Sequence, residues 1–266
     1  MLDYTLFSIK LFNLFYYFII YAFIGWGMES IYATSKKGRF VNRGFLNGPF
    51  CPIYGFGVLI LIIVLSPILN NLLLLFIGAM FLTSALEYIT GFVLEKAFNS
   101  TWWDYSNQPF NIQGRICLRF SVYWGMLSVF VLNILHPKIS KLVSNIPYNY
   151  GIIILYVMFV YFIVDYSITL HSVIKLNSLL EQMHKLSFEV KEKLELIKGT
   201  AVGKVEDIEG RIEELKIKYE ELLSKRIQQH QRLINAFPNL SSKSFNHILK
   251  DIKNKIESDI KLRISK

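Results

Sequence analysis

Cysteine is nearly missing from this chain. Cys51 and Cys117 are its only two, neither has a CxxC partner, and the five histidines are scattered. That excludes a disulfide scaffold and argues against a zinc site. Both cysteines fall at the inner ends of apolar stretches, so they read as reduced thiols, buried or merely available. The nucleotide-binding signature is also missing. Gly199-x-x-x-Gly203-Lys204-Val205 is one residue short of a phosphate-binding loop, lacks the closing Ser/Thr and has no strand before it. No HExxH or GxSxG occurs. The chain therefore offers no ATPase motif and no recognisable catalytic constellation. It reads as a non-enzyme with no cofactor.

What is present is apolar surface. Of 266 residues, 53% are hydrophobic and 15% aromatic, and the mean hydropathy is +0.37. The excess is uneven: beyond residue 171 lie 19 of the 29 Lys+Arg and 14 of the 20 Asp+Glu. This asymmetry predicts a membrane domain followed by a polar tail. Five apolar runs approach the ~20 residues that cross a bilayer: residues 11–33, 53–69, 72–94, 116–135 and 151–171. The second is short and suits a tilted or partly re-entrant segment. The first is too long for a cleaved signal peptide and lacks its basic leader. The fold class expected is all-α, a multi-pass transmembrane bundle of about five spans with a C-terminal helical tail. The domains expected are 1–171 transmembrane, 172–235 coiled coil and 236–266 amphipathic helix.

Lys and Arg mark the orientation. Lys36, Lys37, Arg39 and Arg43 fill the first connection. Lys96, Arg115 and Arg119 flank the third. Only Lys10, Lys138 and Lys141 lie opposite. The bias puts the N-terminus outside and the tail in the cytoplasm of a cell membrane.

Three carboxylates interrupt the apolar runs: Glu29, Glu87 and Asp165. Each costs about 2.5–3.5 kcal/mol at bilayer depth, so it must face protein or a polar cavity. In this topology all three lie about 6–10 Å from the inner ends of their spans, at ~1.5 Å per residue. Small and polar residues share their helix faces: Gly25 and Tyr32 with Glu29, Thr83, Thr90 and Gly91 with Glu87, and Tyr161, Thr169 and Ser172 with Asp165. Two readings stay open. Each acid is a structural pair or cap, or the three line a substrate or proton pathway. Arg115 and Arg119 are the expected counter-charges, with Arg43 next; Arg43 and Arg115 are also the groups that would meet an anionic substrate.

Two connections carry unusual chemistry. Residues 38–57 hold five glycines and two prolines beside many apolar side chains, with Asn47 among the few polar ones and a candidate for the same substrate or ion site as the acids. That composition forbids a regular helix and is too apolar for a solvated linker, so the segment is expected to fold back into the bundle. The third connection carries Trp102, Trp103 and Tyr105, which suit a membrane interface. Its Asp104, Asn107, Asn111, Gln113 and Arg115 allow a second reading, in which it lines a site with Glu29 and Glu87.

Five ordered motifs run through residues 10–140: Gly25-Trp26-x-x-Glu29-Ser30; Asn42-Arg43-Gly44-Phe45-Leu46-x-Gly48-Pro49-x-Cys51-Pro52-Ile53-Tyr54-Gly55; Leu86-Glu87-Tyr88; Trp102-Trp103-Asp104-Tyr105-Ser106; and Gly114-Arg115-Ile116-Cys117-Leu118. In these the chain resembles the bacterial ABC-transporter type IV, or CmpB-like permease, family. The resemblance implies a multi-pass permease component, and with no ATPase motif here it implies a separate ATPase subunit.

The tail shows a heptad-like apolar pattern from Leu176 through Leu180, Met183, Val190, Leu194, Ile197, Ala201, Val205, Ile208, Ile212, Leu215 and Tyr219 to Leu222. An extra residue beside Gly199 and Gly203 breaks the pattern. The tail is then either one stuttered helix that would form a homodimer, the reading favoured here, or two helices folded on themselves. A Phe-Pro-Asn-Leu-Ser turn follows Ala236. Beyond it, Phe245, Ile248, Leu249, Ile252, Ile256, Ile260 and Leu262 form one face of an amphipathic helix that would lie on the lipid surface or pack on the tail. The mixed charges of the tail argue against nucleic acid. The partners expected are the lipid bilayer, the ATPase subunit and a second copy of the chain. A membrane-anchored scaffold acting through the coiled coil is the alternative function, and a membrane-embedded enzyme a weaker one.

Overall fold

The computed structural model describes residues 5–6, 9–198 and 205–264. A short hairpin, β1 (Thr5–Leu6) and β2 (Ile9–Lys10), leads into α1 (Leu11–Lys37). Helix α1 stops at Gly38, whose left-handed φ of 63° lets its N–H close on the Thr34 carbonyl at 2.9 Å. Helix α2 (Pro52–Leu65) starts with proline at its first position, where no intrahelical N–H is needed. Pro67 turns its end into one 3₁₀ turn, Ser66–Ile68. The Asn71 side chain then caps α3 (Leu72–Phe98) by accepting from Leu74 N at 3.1 Å.

Three short strands follow in order with the remaining helices: β3 (Ser100–Thr101), β4 (Asn111–Ile112) and β5 (Ile116–Cys117), then α4 (Leu118–Phe130). One π turn, Val131–Leu135, joins α4 to α5 (His136–Ser144). Pro137 explains it. The proline ring clashes with the carbonyl four residues back in a regular helix, and the wider turn relieves that clash. The fourth apolar helix therefore continues nine residues beyond the apolar run that ends near 135. Helix α6 (Tyr148–Lys198) continues without a break for 51 residues. Then come α7 (Val205–Ala236), β6 (Ser241–Ser242) and α8 (Asn246–Ile264).

Four helices are long and apolar enough to cross a membrane: Leu11–Lys37, Leu72–Phe98, Leu118–Ser144 and Tyr148–Ile197. The second expected span is the shorter apolar helix Pro52–Ile68. Its 17 residues reach about 25 Å, less than the ~30 Å hydrocarbon thickness.

The chain divides into two compact units, one of residues 1–97 and 102–169, the other of 98–101 and 170–266. The first unit is the apolar bundle. Its core gathers Phe12, Tyr17, Tyr21, Leu61, Leu65, Leu75, Ala79, Leu132 and Val143. Glycines set the α1–α2 approach: a Cβ on Gly25 would overlap the Tyr54 ring, and one on Gly55 would lie 2.6 Å from Phe18. Outward faces remain apolar, as at Leu73, Phe81, Ile153 and Val157, which suits lipid contact.

Among the described residues the second unit is built of helices, short turns and one strand pair. Ser100 and Thr101 of β3 pair antiparallel with Ser242 and Ser241 of β6. Asn177 and Asn99 side chains brace the same segment, donating to the Phe98 carbonyl and to Ser244 Oγ. Within this unit α6 meets α8 where His184 packs between Phe245 and His247, and α7 meets α8 where Tyr219 donates to Asp251 at 2.9 Å. The heptad residues Leu176, Leu180, Met183 and Ile212 are buried in the single chain. So are Ile248, Leu249, Ile252 and Ile256 of α8, which places that helix's apolar face within the tail rather than on a lipid surface. The expected stutter at Gly199–Gly203 lies outside the described residues, as do the side chains of Ile260 and Leu262.

Candidate functional site

The first connection folds back on the bundle as expected, and its backbone is satisfied by side chains. Asn42 Oδ1 accepts from Trp26 Nε1 at 2.8 Å and from Gly44 N at 3.0 Å, while its Nδ2 donates to Asn47 O at 2.6 Å. Ser30 and Thr34 on α1 accept from the Arg43 and Val41 amides. Cys51 N donates to Ala22 O, and Val41, Leu46 and Phe50 are buried. This is how non-helical backbone survives beside lipid. Burial, ahead of the nearby Glu29 charge, pushes the Cys51 thiol up to about 12.

Asp165 belongs to this clamp. Its two oxygens accept the Asn47 and Gly48 amides, each at 2.8 Å, and the Asn47 side chain donates to Thr169 one turn further along α6. The Tyr161 hydroxyl stands 3.4 Å away.

Glu29 and Glu87 form a second group. Glu29 accepts from Tyr54 at 2.6 Å and pairs with Arg43 at 3.3 Å. Glu87 Oε1 accepts from Tyr105 at 3.1 Å, and the Trp124 indole stands close to the same carboxylate. The two acids act electrostatically on a shared pair of phenols, Tyr54 and Tyr105. Tyr54 packs edge-on against Trp124, and Tyr105 stacks on Phe120 at 4.8 Å. Burial, then the Glu87 charge, drives the Tyr105 phenol upward, so it stays a donor. Glu87 Oε2 is buried with no hydrogen-bond partner, and Glu87 has no ion pair among the described residues.

Arg115 was expected to balance these acids, and the structure pairs it elsewhere. Its guanidinium meets Glu95 at 2.8 Å, contacts Gln113 and lies over the rings of Tyr88 and Phe92. Both members of that ion pair are buried. Glu95 was missed because it falls one residue beyond the expected span. It was legible all the same, since residues 87, 91 and 95 form an i, i+4 stripe. Arg119 points to Tyr123 instead. Asp104 is exposed and caps its own turn through Ser106. Of the interface aromatics, Trp102 is buried against Phe45 and Trp103 donates to the Arg115 carbonyl. Among the described residues no group of three His, Cys, Asp or Glu side chains is placed to hold a metal ion.

Membrane-length apolar helices, a refolded glycine-rich connection and carboxylates held inside the bundle define a multi-pass membrane protein. The profile of the family described as "putative ABC-transporter type IV" matches residues 16–170, which takes in the bundle and every one of these acids, and the chain belongs to that family. No curated protein and no solved structure matches the chain.

Proposed function

We propose that the chain is the membrane-spanning component of a transporter and that Glu29 and Glu87, with Arg43, Tyr54 and Tyr105, are its substrate or ion site. The observation that carries this reading is Glu87. An intramembrane carboxylate normally finds a cation or several donors. Here Oε1 accepts from the Tyr105 phenol and the Trp124 indole stands beside the carboxylate, but no cation pairs with it and Oε2 has no hydrogen-bond partner among the described residues. Two carboxylates against one guanidinium leave a formal charge of −1, which favours a cationic group or a proton over an anion. Asp165, with both oxygens committed to loop amides, acts as a structural clamp.

The Lys/Arg bias puts this site near the cytoplasmic face, with the N-terminus outside. The family description favours a separate ATPase subunit as partner. The test has two arms. Native mass spectrometry of the protein purified in mild detergent should find a stoichiometric ATPase. Glu87→Gln should abolish the phenotype that the wild-type gene restores to a deletion strain, with insertion and oligomeric state unchanged. A homodimer without an ATPase, together with full complementation by Glu87→Gln, would instead favour a scaffold acting through the tail.

A further inference from the structure

The connection between α3 and α4 does not hang free of the bundle end. Tyr105 reaches Glu87, Gln113 accepts from Tyr88 at 2.9 Å, and Trp103 and Arg115 lie against Gly91 closely enough that a Cβ there would sit 3.1 and 3.5 Å from them. Glu87 and Tyr88 lie some ten residues before the end of α3, a rise of about 15 Å. The segment therefore runs back along the helix to a depth where α3 presents Ile89 and Val93 outward.

Backbone at that depth must find its partners within the protein, and this segment does. Strands β4 and β5 pair with Asn111 opposite Cys117 and Ile112 opposite Ile116. Tyr105 N donates to Gly114 O, Arg115 N to Ile112 O and Leu118 N to Phe110 O. The Asn111 side chain alone serves three backbone groups: it donates to the Ser106 and Gln108 carbonyls and accepts from Gly114 N. Asp104 takes the Ser106 amide.

Two side chains of this hairpin invert the usual rule for a connection in water. Phe110 is 80% exposed and Ile112 55% exposed. Phe110 adopts a left-handed φ of 52°, uncommon for an aromatic residue. Leu118, the first residue of α4, is exposed as well. Phe110 and Ile112 add to the outward apolar surface beside α3 and the start of α4.

We infer that residues 102–117 form a re-entrant hairpin whose Phe110 and Ile112 insert among the acyl chains of the adjacent leaflet. The occupant of this surface is lipid, because the patch continues the lipid-facing sides of the two helices it joins. The inference needs only that those helices span a membrane and does not depend on what Glu87 handles.

The test is collision accessibility in vesicles of phosphatidylethanolamine and phosphatidylglycerol. Spin labels are placed by Phe110→Cys, Ile112→Cys and Asn107→Cys, with Ile153→Cys on α6 as the lipid-facing reference. The native thiols are buried, and the unsubstituted chain gives the background. Labels at 110 and 112 should show an oxygen-to-nickel-chelate collision ratio close to that at 153, with 107 comparing a polar position of the same hairpin. A ratio at 110 and 112 several-fold below that at 153 would overturn the inference and place these residues in water. Labels shielded from both reagents would also overturn it, since a protein surface would then cover them. Should Phe110→Cys fail to give a monodisperse protein, Ile112→Cys carries the same comparison.

Discussion

The Asp165 carboxylate and the Asn47 amide, 118 positions apart in sequence, meet at 2.8 Å, with the Gly48 amide held by the second oxygen at the same distance. One acid on α6 thereby anchors the turn of a connection between α1 and α2. A carboxylate suits the task because both of its oxygens accept and neither donates.

Asp165→Asn keeps the shape but replaces one acceptor with an NH₂ group facing a backbone N–H. Leaving a buried amide unsatisfied costs about 1–3 kcal/mol. The variant should show a lower Tm in detergent and faster protease cleavage within residues 38–51. Unchanged values for both would mean that the clamp carries no stability.

Gly48→Ala attacks the same contact from the other side. A Cβ at Gly48 would overlap the Tyr161 hydroxyl and lie 2.9 Å from Asp165 Oδ2. The substitution should destabilise the protein, and Tyr161→Phe should recover part of the loss by removing the hydroxyl. A double-mutant cycle on thermal unfolding gives the coupling; strict additivity would contradict the geometry.

Glu95→Ala leaves the buried Arg115 guanidinium without its carboxylate. Breaking one side of a buried pair typically costs about 3–5 kcal/mol, while replacing both members with apolar residues is often far milder. Glu95→Ala alone should therefore reduce the yield of folded protein sharply. Glu95→Leu with Arg115→Met should be the better behaved of the two, as judged by size-exclusion profile.

Tyr219 links pH to the stability of the tail. Burial, then its bond to Asp251, raises the phenol above its ordinary 10.0. The folded state holds this proton more tightly than the unfolded state, so the stabilisation is complete below pH 10 and falls as pH rises through the folded value. Helix content measured by circular dichroism should decline above pH 10 in the wild-type chain. Tyr219→Phe should show a weaker alkaline slope, and an identical slope would exclude Tyr219 as its source.

Hydropathy and glycine placement made the bundle legible because both act locally. An apolar run of membrane length has few options besides a helix. A connection with five glycines and two prolines has little option besides irregular backbone, and its buried Leu46 and Phe50 show where its apolar content goes. Pro137 lies just past the fourth apolar run, and a single π turn carries the helix through it.

Sequence by itself determined that this chain spans a membrane, that acids lie within its spans and that a helical tail follows. Tertiary structure alone decided which groups meet. The seven arginines and lysines of the first and third connections are equivalent in composition, yet Arg43 takes Glu29 and Arg115 takes Glu95, because partner choice depends on helix rotation and side-chain reach across the bundle. The same holds for Trp102 and Trp103, adjacent in sequence and identical in hydropathy, of which one is buried on Phe45 and the other donates to the Arg115 carbonyl. The tail heptads illustrate it once more. Their periodicity specifies an apolar seam and leaves the covering surface open, and in the folded chain Leu176, Leu180 and Met183 are buried within one copy. Burying apolar area is favourable whichever surface supplies the cover, so only the three-dimensional arrangement selects it.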